Sequence, residues 1–487
     1  MASTGWRVGA LTAILSGLAI VPAHADKCRG YTKCPIVDYA RTMHTDLDAL
    51  KLAEVVDKEE QKALRESKKT LSEPALQEIA LGKLAFFDKS LSVKQNEACA
   101  TCHMPSAGFS GGVSLINQSV GSFPGSVPIR TGNRVPISAA YAAFAPVLSY
   151  RAKTGDFVGG NFWDLRATGE ITGSAAADQA MQPFVNPVEM ALPDTACAVY
   201  RVALTPYASL FTALWGSNWL SIEWPHNAGK ICGRAGEGRS LTRLKLSDGD
   251  RTKVETAYRN LVLAIADFEA SPDVSPFTSK FDAVLAGKAQ FTKRESAGLS
   301  LFNTKAKCNL CHDSSGSKPL FTNFTAVNLG LPANRNNPFF FENADNGKGL
   351  VVNPLGRDYV DNGLGATLAQ SSNPGWQALA PQFAGAFQVA TLRNVARLPR
   401  KGFVRAYMHN GTFTDLKEIV HFYNTRDVLP RCKHGQGVVG VTCWPAPAQP
   451  DNVDHKRTGN LHLTDDEEVD IVAFLKTLSD GYRQPAK

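Results

Sequence analysis

Cys-x-x-Cys-His occurs twice in this chain, as Cys99-Ala100-Thr101-Cys102-His103 and as Cys308-Asn309-Leu310-Cys311-His312. Two cysteines at this spacing can each form a thioether to one porphyrin vinyl group, and the adjoining histidine then reaches the iron from the same side. The pattern predicts two covalently bound c-type haems, held by Cys99, Cys102, Cys308 and Cys311, with His103 and His312 as iron ligands. The competing use of paired Cys-x-x-Cys elements is a tetrahedral zinc site. A histidine directly after both pairs, in a chain that opens with an export signal, favours haem.

That signal is Arg7, the apolar run 8–21 and Ala23-His24-Ala25 before Asp26. Residues 1–25 are expected to be a signal peptide and the product a periplasmic protein. The run is too short to span a bilayer and no other approaches the needed length, so no membrane span is expected. Ten cysteines are present, and six lie outside the two motifs. In an oxidising compartment these should form disulfides, most economically Cys28–Cys34, Cys197–Cys232 and Cys432–Cys443, one of fifteen possible connectivities. The net charge of +7 is mild for 487 residues, and no basic surface marks a nucleic-acid binder.

Residues 26–70 form an N-terminal extension, whose part from 46 to 71 is highly charged with Leu47, Leu50, Val55, Val56 and Leu64 at roughly helical spacing; it is expected to be an amphipathic helix. A weak internal repeat follows. Glu78-Ile79-Ala80-Leu81-Gly82-Lys83-Leu84-Ala85-Phe86 precedes the first motif, and Glu295-Ser296-Ala297-Gly298-Leu299-Ser300-Leu301-Phe302 precedes the second. Both read as the first helix of a cytochrome c unit, with glycine at a close helix crossing and an aromatic ring against the porphyrin. Thr292-x-x-Glu295 and Thr464-x-x-Glu467 are capping boxes, the latter opening a last helix through Val469, Val472, Leu475 and Leu478. The segment 313–385, rich in Asn, Gly and Pro, reads as long loops. The fold class expected is mainly α: two cytochrome c-like haem domains, at 71–285 and 286–487, with long irregular loops.

Several blocks in order resemble bacterial di-haem cytochrome c peroxidases and MauG. They are Leu81–Asp88 with Leu91-Ser92, Cys99 through Pro105 with Gly108-Phe109, Phe162-Trp163-Asp164-Leu165-Arg166-Ala167, and Asn186-Pro187-Val188-Glu189-Met190. Thr391 through Ala396, Tyr407-Met408-His409-Asn410-Gly411 and Leu416 through Val420 continue the series. The resemblance implies roles residue by residue. Glu189 becomes the acid–base group for peroxide cleavage, with Gln179 and Pro183 in the distal pocket and Trp163 between the two haems. Between Met104 and Ala152 there is no histidine, so the first iron is expected to keep an open distal position. At the second haem the family's ligand lies fourteen residues after the histidine of His-x-Gly, which is Tyr423; peroxidases have methionine there and MauG tyrosine. Met408 is the competing ligand, and His409 is read as a hydrogen-bonding haem-pocket residue. A phenolate favours oxidised iron and a thioether ferrous iron.

Three departures stand out. MauG has a tryptophan two residues before its second motif, where this chain has Ala306. The family's interhaem calcium site uses an asparagine two before a proline; here Arg134 stands two before Pro136 and Asn133 is one position off, so one calcium ion is a candidate cofactor. The loop 397–406 is longer than usual. The function implied is a periplasmic oxidoreductase taking hydrogen peroxide, with electrons from a small donor protein such as a cytochrome c. Oxidative modification of a partner protein's side chains, and electron carriage without catalysis, are the alternatives.

Overall fold

The computed structural model describes residues 47–67, 73–236, 243–345, 350–433 and 436–484. The expected signal peptide and the Cys28–Cys34 pair lie outside these. Helices α1 (Leu47–Ser67), α2 (Pro74–Phe87), α3 (Thr195–Val202), α4 (Asp248–Ala270), α5 (Lys293–Asn303), α6 (Leu416–Thr425) and α7 (Asp465–Lys476) are joined by short helical turns and long loops.

Each haem motif follows a helix that crosses another at a glycine. In α2, a Cβ added to Gly82 would lie 1.8 Å from the Ala264 carbonyl oxygen of α4. In α5, a Cβ on Gly298 would lie 1.9 Å from the Asp470 carbonyl oxygen of α7. Backbone touches backbone at both crossings, so any side chain there forces the helices apart. Four residues along each pair, an aromatic contact seals the crossing: Phe86 packs on Phe268 at 5.3 Å, and Phe302 on Phe474 at 5.1 Å. The sequence repeat thus corresponds to a repeated crossing. Gly298→Ala is expected to destabilise the protein by about 1–3 kcal/mol through overpacking, read as a lower melting temperature. An unchanged melting temperature would show that the crossing relaxes freely.

Both predicted capping boxes form. Thr292 Oγ1 accepts the Glu295 N–H while the Glu295 carboxylate accepts the Thr292 N–H, and Thr464 and Glu467 do the same at the start of α7. The described part of the extension is helical as expected, but its buried stripe is Ala49, Leu52, Val56 and Ala63; of the expected positions Val56 belongs to it, while Val55 and Leu64 are half-buried. That stripe covers the core around α2, and Asp48 pairs with Arg400 at 2.7 Å, so the long loop 397–406 ties α1 down. Lys83 of α2 bonds Glu66 of α1 at 3.3 Å and Asp273 at 2.7 Å.

The largest core lies around α2 and α4; a second gathers Phe281, Phe302, Phe321 and Phe474. Phe281 falls before the division at 285 and packs on the later side, because its ring lies 5.0 Å from Phe321 and 6.0 Å from Phe474. The segment 313–385 holds more structure than its composition implies. Strand β1 (Ala326–Val327) pairs antiparallel with β2 (Phe387–Gln388), and six-residue helices span Leu364–Ala369 and Pro374–Leu379. Helices this short show no readable periodicity; Leu364 and Leu368 are nevertheless buried against Leu148, Phe157 and Leu165. The disulfides Cys197–Cys232 and Cys432–Cys443 are present. No helix among the described residues is long and apolar enough to cross a membrane.

Candidate functional site

Each Cys-x-x-Cys-His motif opens onto its own cavity. The first, about 1340 Å³ including the space open to solvent, is lined by Cys99, Cys102 and His103. The second, about 1420 Å³, is lined by Cys308, Cys311 and His312. Among the described cysteines these four are the free thiols, while the others are bonded in disulfides.

The histidines are prepared alike. His103 Nδ1 lies 3.2 Å from the Phe109 carbonyl oxygen, and His312 Nδ1 lies 2.9 Å from that of Phe321. A carbonyl only accepts, so Nδ1 carries the proton in each ring and Nε2 keeps its lone pair for a metal. Burial also lowers both imidazoles below their ordinary pKa, His312 to about 4. Neutral imidazole is the form that ligates iron. Paired thiols on the wall of a cavity, beside a histidine whose tautomer is fixed toward it, fit covalent haem at both places.

Glu189, Gln179 and Pro183 line the first cavity with His103. Gln179 sits on the short helix Ala175–Ala180, capped by Ser174. Glu189 is held in a tight turn: its N–H donates to Asn186 O at 3.0 Å, and Met190 N–H donates to Pro183 O at 3.1 Å. Its own carbonyl accepts Ser126 N–H at 2.8 Å, an approach possible because Gly125 has no Cβ there. Burial raises the Glu189 carboxyl above the usual range, and the nearby Arg166 charge works against that rise.

Two further carboxyls line this cavity, Glu97 and Glu269. Burial pushes both up to about 8, with the Glu189 charge adding to the effect on Glu97. Glu97 Oε1 accepts the Cys102 thiol at 3.5 Å, and its Oε2 is buried without a partner. Sequence reading passed over both. The available signal was Glu269 itself, a charge on the apolar stripe of α4 beside Leu261, Ile265 and Phe268.

The second cavity takes both competing ligand candidates. Tyr423 projects from α6 and Met408 from the loop before it, where Met408 adopts φ 66°. The Tyr423 hydroxyl lies 3.8 Å from Met408 Sδ. Burial raises the Tyr423 phenol well above its ordinary range, so a phenolate there requires a compensating cation. Ala306 is buried beside the second motif and ends in a methyl group. His409 lines a smaller adjoining cavity with Trp163 and Met408 rather than either of these two. Phe387, which does line the second, stacks flat on the imidazole at 3.5 Å.

Trp163 lines both cavities. Its indole N–H donates to Val135 O at 2.9 Å, while Val135 N–H donates to His409 O at 2.8 Å. The adjoining Phe162 and Leu165 take left-handed backbone conformations, at φ 68° and 59°, which fold the Trp-Asp-x-Arg segment back on itself. Beside it Arg134 bonds Asp361 through Nε at 2.8 Å and Nη2 at 2.7 Å, and Asp164 through Nη1 at 2.6 Å.

Comparison with known proteins agrees with this geometry. Residues 76–290 match the family model described as di-haem cytochrome c peroxidase. The methylamine utilization protein MauG of Paracoccus denitrificans is 33% identical over 416 residues, covering 83% of this chain and 89% of MauG. The cytochrome-c peroxidase IdrP1 of Pseudomonas sp. (strain SCT) is 24% identical over 83% of this chain and 81% of its own. Among solved structures, the diheme peroxidase BthA from Burkholderia thailandensis E264 superposes with a TM-score of 0.61 at 27% identity, covering 83% of this chain and 86% of BthA.

Proposed function

This chain belongs to the di-haem cytochrome c peroxidase/MauG family, a family of oxidoreductases carrying two c-type haems, and from that premise we propose that it reduces hydrogen peroxide at the first haem site in the periplasm, drawing electrons from a small donor protein such as a cytochrome c. Haem held by Cys99, Cys102 and His103 at the first site, and by Cys308, Cys311, His312 and Tyr423 at the second, would supply redox-active iron. The chain's residues manage protons and electrons around it. The Glu189 carboxylate accepts the proton from the near peroxide oxygen and returns it to the far one, so that oxygen leaves as water. Gln179 and Pro183 shape the pocket around the same group. His103 would hold the iron at the first site, and Tyr423 would join His312 in holding it at the second. The Trp163 indole passes electrons between the two sites. Two electrons and two protons from outside complete the reduction of each peroxide to two waters.

The observation carrying this reading is the partition of residues. Glu189, Gln179, Pro183 and His103 share one cavity, Tyr423, Met408 and His312 share the other, and Trp163 lines both. Steady-state peroxide reduction by the haem-loaded protein, with reduced cytochrome c as donor, tests it. Sustained turnover is expected. Rapid reaction with peroxide but no turnover with any small donor would favour the second reading, oxidation of a partner protein's side chains. The 33% identity to MauG and the tyrosine at 423 support that reading, and the buried methyl group of Ala306 argues against MauG's tryptophan route.

A further inference from the structure

The segment between the cavities contains a chain of alternating charges, Arg166, Asp164, Arg134 and Asp361, of which Arg166 is the most exposed at 34%. Arg166 Nη1 bonds Asp164 at 2.9 and 3.1 Å, and Arg134 then bridges from Asp164 to Asp361. The side chains of Arg134, Asp164 and Asp361 are only 13, 11 and 15% exposed. Two guanidinium groups and two carboxylates sum to zero charge. Every anion in the group therefore already has a cation partner, and Asp361 has it in the bidentate geometry that suits arginine and carboxylate.

A calcium ion does not fit here. Calcium takes about six to eight oxygen ligands, and both carboxylates are occupied by guanidinium N–H groups. Asn133 presents the donor side of its amide, Nδ2, to Asp361 Oδ2 at 3.1 Å and to the Tyr359 hydroxyl at 3.0 Å. A doubly charged ion added to this neutral group would find neither of these carboxylates free and would have to displace a guanidinium. Among the described residues, no cluster of three or more His, Cys, Asp or Glu side chains is arranged to hold a metal ion.

We infer that Arg134 is the resident cation of the region between the haems, and that it holds Trp163 in place without calcium. Its neighbour Val135 accepts the Trp163 indole N–H, and Asp164 is the residue directly after Trp163. Clamping Arg134 between Asp164 and Asp361 thus fixes the indole from both sides. Asp361 comes from the long segment 313–385, whose Gly363 N–H donates to its Oδ1 at 3.1 Å. Arg134 acts here as a positioning residue, and its part in electron passage rests on the relay reading of Trp163.

The test uses the full haem-loaded protein in three forms: wild type, Arg134→Ala and Arg134→Lys. Bound calcium is counted by elemental analysis before and after chelator treatment. Melting temperature is then recorded with and without chelator, and stopped-flow spectra follow each haem after one equivalent of peroxide. Wild type is expected to hold no stoichiometric calcium and to keep its melting temperature and both haem responses in chelator. Arg134→Ala is expected to melt several degrees lower, because Asp361 loses its cation partner and Asp164 keeps only Arg166. The response of its second haem should slow by about tenfold or more, with the first haem's reaction with peroxide unchanged. Arg134→Lys, a point charge unable to hold both carboxylates in bidentate geometry, should fall between. One calcium per chain in wild type, or loss of wild-type stability in chelator, would overturn the inference. So would an Arg134→Ala protein whose second haem responds at the wild-type rate. A wild type whose second haem never responds would instead refute the Trp163 relay, leaving the calcium result standing on its own.

Discussion

Glu189→Gln is expected to slow the reaction of the haem-loaded protein with hydrogen peroxide by about 10²–10⁴-fold, the usual worth of a positioned acid–base group, with both haems still attached. The amide keeps the size of the side chain and loses its ability to take a proton. Because Glu97 and Glu269 line the same cavity, the parallel variants decide which carboxyl does the work. Glu97→Gln and Glu269→Gln are expected to cost less than about tenfold. If either matched Glu189→Gln, the acid–base role would move to that residue. The pH profile adds a second check. The accepting form is the carboxylate, so the rate must fall as pH drops through the Glu189 pKa. Burial raises that pKa against the Arg166 charge, which puts the acid limb above the ~4.3 of an exposed glutamate. Removing the Arg166 charge should move the limb higher still.

Tyr423→Met is expected to raise the reduction potential of the second haem by on the order of 100 mV and to change its spectrum, since axial ligands set haem potentials over roughly 0.8 V. The physical cause is the ligand's charge. A phenolate stabilises oxidised iron, whereas a neutral thioether stabilises ferrous iron. The matching control is Met408→Ala. With the two side chains 3.8 Å apart on the same cavity wall, the reverse ligand assignment predicts the reverse result. A second haem insensitive at Tyr423 and altered at Met408 would assign the site to the thioether. A raised potential should also shorten the lifetime of the oxidised protein after peroxide, because the second site then holds its oxidising equivalents less comfortably.

Much of this was legible because certain residues cannot be replaced by look-alikes. Gly82 and Gly298 were readable as helix crossings because only hydrogen fits between touching backbones, and the capping boxes because their hydrogen bonds are local in sequence. The disulfides Cys197–Cys232 and Cys432–Cys443 followed from parity and proximity. Other features depend on contacts that no local pattern records. The helix Lys280–Leu285 carries one buried phenylalanine, Phe281, and the partners that assign it to the later core lie up to 193 residues away, at Phe474. His409 reads as a haem-pocket group from its neighbours in sequence; no local pattern shows that Phe387, from a strand more than twenty positions earlier, stacks flat on its ring. Asp361 could not be linked to Arg134 from a segment without periodicity. Nor could Glu97 be distinguished from an ordinary surface glutamate two residues before a cysteine.

The central claim is that the two haem sites are unequal, the first open above His103 with Glu189 at hand and the second closed by Tyr423. Its most direct measurement is the absorption and electron paramagnetic resonance spectrum of the ferric, haem-loaded protein before and after one equivalent of hydrogen peroxide. The account predicts one high-spin and one low-spin haem at rest, with both signals lost or altered together once peroxide is added. Two six-coordinate low-spin haems that ignore peroxide would contradict it, and would leave the protein an electron carrier.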